Sequence, residues 1–291
     1  RWLKLVPPYA AALLLAIGAS GFAATLMSHH SISMLHGWRQ VLAHLFLLQD
    51  VLGHESLSAG MWYIAIDFQL YAGFALLLWC CRMLYRDAPP WLVPAAVSFC
   101  GALSLAVFNR DRSLEIWAIY FFGSYSLGIL AWWASDPLRS RSTAIVHGAT
   151  LVIIAVYALE IEFRARIAVS LITALLLLAG RRGALVIPNL QVISFLARIS
   201  YSLLLVHFPV SLLVNAVFFR MLPHTPIVQA AGMLVAWLGS VTFAAAFHRW
   251  VESPLLDVSG KVAAGLSRFS RLFDPQGTSG SMSFLLKVFR G

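Results

Sequence analysis

The chain has 291 residues, 60% of them hydrophobic and 11% charged, with a formal net charge of +9. Soluble domains carry about 25% charged residues, so this composition, with a mean hydropathy of +0.81, excludes an ordinary soluble protein and indicates a polytopic membrane protein. The basic excess does not mark a nucleic-acid binder, because Lys and Arg stand between apolar runs, where membrane topology places them, and not among stacking aromatics. Cys80, Cys81 and Cys100 lie in or beside apolar runs without metal-ligand spacing.

A membrane span needs about 20 mostly apolar residues, and about eight such runs predict an all-α transmembrane helix bundle. The stretch from Arg1 to Tyr9 reads as the inner flank of the first span, expected at 8–27. A polar outer segment follows. It holds His29, His30, His36, His44 and His54 at spacings unlike a zinc helix, so no metal is expected and polar contacts, including contacts to a sugar, suit them better. Its apolar run 41–52 is too short to span and is expected as a re-entrant or interfacial helix.

The second span, 61–81, carries Asp67 and Gln69. A carboxylate in hydrocarbon costs roughly 2.5–3.5 kcal/mol on insertion scales, so Asp67 is expected to face protein or a wet cavity, as a helix–helix anchor or as a functional acid. Tyr63, Asp67 and Tyr71 recur at i, i+4 and i+8 and share one helix face. Gln69 lies about 200° round the helix from Asp67, on the side of Trp62, so the two polar groups should serve different neighbours. Further spans are expected at 91–108, 114–133, 143–159 and 167–179.

In the seventh span, 193–219, residues Ser200, Leu204, His207, Ser211 and Asn215 fall on one face. Lipid cannot satisfy a polar stripe, so it must meet a partner helix or a cavity. Pro209 frees the carbonyl of Leu205 and favours a kink beside His207. The serines and Asn215 read as interhelical hydrogen-bonding glue, while His207 is either a satisfied imidazole or a proton shuttle. The eighth span, 227–247, runs into HRWVESP. There His248 and Glu252 stand at i, i+4 and Arg249 and Glu252 at i, i+3, spacings of a helix-end ion pair, and Pro254 is expected to stop the helix. Residues 1–258 thus form the membrane domain. Residues 259–291 form a tail whose Val262, Leu266, Phe269 and Phe273, with Lys261, Arg268 and Arg271 beside them, read as a basic amphipathic helix on the inner leaflet.

With Arg1 cytoplasmic, fifteen of the 21 Lys and Arg residues fall inside and six outside. This bias puts both ends of the chain in the cytoplasm and Asp67 near the outer surface.

Four segments in this order resemble the acyltransferase-3 family of integral-membrane acyltransferases. RWLKLVPPY is similar to the family's basic stretch, with Arg1, Pro8 and Tyr9 in place and Lys4 where a second Arg is usual. WYIAIDFQLY aligns Trp62, Gln69 and Tyr71, with Asp67 for the usual Glu. ISYSLLLVHFPV supplies Ser200, Tyr201, His207 and Pro209, and HRWVESP supplies Arg249, Glu252 and Pro254. The resemblance implies about ten spans in a complete fold, each of ordinary helix length. Two of these would precede the basic stretch, and the first would carry the family's catalytic Arg and His. The chain is therefore expected to be an N-terminally truncated fragment, and as such inactive.

The resemblance further implies transfer of an acyl group, expected as acetyl, from cytoplasmic acyl-CoA to a hydroxyl of a cell-surface or lipid-linked glycan in a bacterial inner membrane. No bound cofactor is implied; acyl-CoA is the donor substrate, and membrane lipid and the acceptor glycan are the partners. Arg1, Lys4, Arg198 and Arg249 stand at expected cytoplasmic helix ends, where they could hold the CoA phosphates. Asp67 and His207 are the catalytic candidates here. Trp62, Tyr63, Gln69, Tyr71, Ser200, Tyr201, Ser211, Asn215 and Glu252 are the supporting ones. The competing reading is a transporter or flippase for a polar substrate. It shares the polar intramembrane stripe but is weakened by the absence of an evident internal repeat.

Overall fold

The computed structural model describes residues 1–29, 32–33, 37–84, 89–183 and 190–273. Among them every regular element is a helix. They are α1 (Trp2–Leu26), α2 (Trp38–Leu45), α3 (Met61–Leu84), α4 (Leu92–Ala106), α5 (Ala118–Ala134), α6 (Arg141–Ile161), α7 (Ala165–Arg181), α8 (Gln191–Met221), α9 (Pro226–Phe247) and α10 (Ser253–Phe273). Six helical stretches among the described residues are long and apolar enough to cross a membrane: α1, α3, α4 with the turn after it, α6, α8, and α9 running into α10. The fourth and sixth expected runs form α5 and α7, each 17 residues long, which is about 26 Å at 1.5 Å per residue. His30, His36, Arg86 and the tail 274–291 lie outside the described residues, as do the side chains of Leu266, Arg268, Phe269, Arg271 and Phe273.

The chain divides into two compact units, one of Arg1–Met34 with Ile199–Gly291, the other Leu35–Arg198. In the second unit α5 packs on α3, α4, α6 and α7. The α4–α5 contact is close because its small residues permit it. A methyl added at Gly101 would lie 2.1 Å from Ser126 Oγ, and one at Gly123 would lie 2.3 Å from Leu105. Ser104 Oγ donates to Ile119 O at 2.6 Å and accepts from Gly123 N–H at 2.8 Å, so one hydroxyl ties the two backbones together.

The first unit corrects two expectations. Helix α1 begins at Trp2 and takes Pro7 and Pro8 inside it, six residues before the expected span at 8–27. Pro7 has no N–H to give the carbonyl four residues back, that of Leu3. Ser259 Oγ from α10 donates to Leu3 O at 2.6 Å, across 256 residues of sequence. Pro254 likewise does not stop the chain's last helix. Residues His248–Glu252 form a π-turn that joins α9 to α10. The wider turn restarts the helix at Ser253, which puts Pro254 in a first turn, where a missing N–H is tolerated.

Candidate functional site

Three of the motif segments meet in the first unit. Tyr201 OH donates to Leu5 O in α1 at 2.8 Å. Its neighbour Ser202, fully buried, donates to Glu252 Oε2 in the π-turn through a short hydrogen bond. The same oxygen accepts from His248 Nδ1 at 3.0 Å. Glu252 is 6% exposed, so its charge is removed from solvent and met by two donors. The expected ion pair with Arg249 does not form among the described residues; Arg249 is exposed. The π-turn supplies the reason. Its i→i+5 bonding widens the helix, so residues four apart overlie one another while residues three apart diverge.

This arrangement has a chemical direction. Carboxylate oxygens only accept, so His248 holds its proton on Nδ1 and turns Nε2 away from Glu252. The carboxylate lies between hydroxyl and imidazole, so His248 has no contact through which to deprotonate Ser202. Glu252 therefore orients His248 and does not complete a nucleophilic triad. His248 is the residue that the motif reading left out of the site. The i, i+4 spacing in HRWVE was the signal for it.

Farther along α8, His207 Nδ1 lies 3.1 Å from Leu203 O and 2.9 Å from Leu204 O. Carbonyls accept, so the proton is on Nδ1 and Nε2 carries the lone pair. Of the stripe, His207 and Ser211 are half-buried, while Ser200 and Asn215 are exposed. The stripe is enclosed in its middle and open at its ends. Beside it, Leu212 and Ala216 pack on Ala23 of α1, with Phe208 and Leu26 against them.

The second unit holds the other set. Asp67 and Tyr71 are half-buried on α3, and Tyr63 is 53% exposed. Trp62 turns to α5, its ring 6.1 Å from that of Phe121. Gln69 points away from the Asp67 face into a cavity of about 230 Å³ between α3, α4 and α5, lined by Leu70, Leu103, Phe108 and Phe122. Its Nε2 is buried there without a hydrogen-bond partner. Asp67 and His207 belong to different units. So do Arg198 and the other expected phosphate ligands, Arg1, Lys4 and Arg249, all four exposed.

The segment 37–60 is more ordered than its composition suggests. His44 is fully buried. Its Nδ1 donates to Gln40 O at 2.8 Å and its Nε2 accepts from Leu57 N–H at 3.1 Å, which fixes a neutral tautomer. Burial pushes its pKa down from 6.5, with His54 adding to the effect. Gln40 Nε2 donates to Glu55 O at 2.9 Å. Asp50 accepts from Gln49 and Ser56, and burial raises its pKa above the usual value. Leu47, fully buried, holds a left-handed φ of 58°, a conformation that strains a branched side chain. The histidines form no metal cluster among the described residues.

Compared with protein-family models, curated proteins and solved structures, the chain matches none.

Proposed function

We propose that this chain carries the membrane core of an acyltransferase that moves an acyl group, expected as acetyl, from acyl-CoA to a hydroxyl of a glycan. The observation supporting the reading is that segments chosen for their resemblance hydrogen-bond to one another: Tyr201 to Leu5 in a half-buried place, and Ser202 to Glu252 in a buried one.

In this reading Arg1, Lys4, Arg198 and Arg249 hold the CoA phosphates at the cytoplasmic face, both chain ends lying on that side. Glu252 and His248 shape the site beside Arg249. The acceptor hydroxyl attacks the thioester carbonyl, its proton passes to an imidazole, and the CoA thiolate leaves. In this reading His207 Nε2 takes that proton, and Asp67 orients the acceptor. In the family that the segments resemble, the leading catalytic His precedes the basic stretch, so the test uses the product of the complete gene. Membranes containing it are supplied with labelled acetyl-CoA. Label on a glycan, reduced in Asp67→Asn or His207→Gln, supports the reading. Full labelling in both variants ends the residue assignment, and substrate uptake without covalent label points to transport.

A further inference from the structure

The two ends of the α5–α6–α7 group differ in how their arginines are satisfied. At one end Arg110 and Arg164 share Glu162 at 3.2 and 3.0 Å, and Arg166 pairs with Glu115 at 2.6 Å. The opposite end holds a cavity of about 610 Å³ lined by Arg139, Arg141, Arg181 and Arg182. Its one carboxylate, Asp136, is already engaged, with Arg139 Nε at 3.4 Å and the Leu138 N–H at 3.0 Å. Four guanidiniums against one occupied acid leave a net charge of three on the cavity wall.

Three of these arginines are held in place by the protein. Arg181 lies 3.6 Å over the ring of Trp132, and Arg139 lies 5.5 Å from that of Trp133. Arg182 donates to Ala134 O at 2.6 Å. Guanidiniums stacked on indoles keep their N–H edges for a ligand. The N-terminus of α6, capped by Ser140, sits at the same end and adds its dipole. The cavity also lies where α5 and α7 end and α6 begins. Leu138 on its rim is 93% exposed, a large apolar side chain presented beside a cationic cavity.

We infer that this cavity binds the phosphate of an anionic phospholipid headgroup, with Leu138 and Trp132 against the acyl chains. Basic pockets between membrane helices take such headgroups through phosphate–guanidinium pairs. A soluble phosphate would use the same arginines but would gain nothing from Leu138. The inference rests on the membrane helices and stands apart from acyl transfer.

The test uses the purified full chain in neutral detergent, titrated with phosphatidylglycerol, phosphatidylcholine or inorganic phosphate. Native mass spectrometry reads bound lipid, and thermal melting reads all three arms. Phosphatidylglycerol is expected to bind and raise the melting temperature, with phosphatidylcholine and inorganic phosphate much weaker. Arg141→Gln with Arg181→Gln should weaken phosphatidylglycerol binding roughly thirtyfold, as expected for two surface charges. Arg110→Gln with Arg112→Gln, at the opposite end, should leave it unchanged. Should the first pair fail to fold, Leu138→Ser supplies the reading, by reducing lipid binding and not the phosphate response. Equal binding of the two lipids, equal loss in both arginine pairs, or stabilisation by inorganic phosphate matching that by phosphatidylglycerol would overturn the inference.

Discussion

Ser259 donates its hydroxyl proton to the carbonyl of Leu3, the carbonyl that Pro7 leaves without its helical partner. A helix-breaking residue near the start of the chain is thus compensated by a side chain near its end. Ser259→Ala should cost about 1 kcal/mol, read as a lower melting temperature. Pro7→Ala restores an N–H to Leu3, so the cost of Ser259→Ala should shrink in that background. A double-mutant cycle measures the coupling, and two strictly additive changes would refute it.

Glu252 accepts two hydrogen bonds in a buried place. Glu252→Ala should destabilise by about 1.5–3 kcal/mol, the range for bonds to a charged group, and Ser202→Ala by about 1 kcal/mol. If the acyltransferase reading holds, Glu252→Gln should lower transfer activity more than it lowers the melting temperature, because a neutral amide orients His248 less firmly. Melting and labelling assays on the same preparations separate the two effects.

His44 gives the segment 37–60 a pH dependence of known sign. Its folded pKa lies below 6.5, so between that value and 6.5 the unfolded chain binds more protons than the folded one. Stability is full above 6.5 and falls as pH drops through this window. Protonation also turns Nε2 into a donor facing the Leu57 N–H. Asp50, with its pKa raised, acts in the opposite sense: its contribution diminishes as pH rises above 3.8. Melting temperatures across mildly acidic pH should show the His44 slope, and His44→Gln should remove it.

Gly123→Ala places a methyl 2.3 Å from Leu105 and should destabilise by about 1–3 kcal/mol, as overpacking does. Gly128 lies on the same helix with open space at its Cβ position, so Gly128→Ala should be neutral or mildly stabilising. Equal melting temperatures for the two variants would contradict the close α4–α5 approach.

Asp67 stands where the resembled segment has Glu. Within the proposed reaction, Asp67→Asn should reduce acetyl transfer by roughly a hundredfold, as misplacing a substrate does. Asp67→Glu should retain most activity, since it keeps the charge and adds reach. Comparable activity of Asp67→Asn and the parent protein would remove this acid from the mechanism.

Composition and apolar run length made the helical class legible, and α3 starts at Met61 as its run of residues indicated. Helix periodicity also placed Gln69 away from Asp67, because rotation per residue is a local property. What failed was punctuation by proline. Pro254 is read locally as a boundary, but the π-turn just before it carries the helix on through it. The i, i+4 spacing offered His248 to Glu252, whereas the preference for His248 over Arg249 depends on the π-turn and the donor Ser202 on the tertiary fold. Nothing in the composition of 37–60 foretold the fixed tautomer of His44 or the left-handed Leu47.

The π-turn at His248–Glu252 also behaves as a phase setting for everything after it. Closing the turn to α geometry with all five residues retained would rotate α10 by about 100°, the step of the one residue that a π-turn holds beyond an α-turn. Ser259 would swing away from Leu3, and the side of α10 now turned toward α1 would be replaced by another. The i→i+5 bonding of this stretch is consequently a stricter constraint than the identity of its exposed members. Homologous chains should vary freely at exposed Trp250 while keeping either the π-turn or an α-turn one residue shorter.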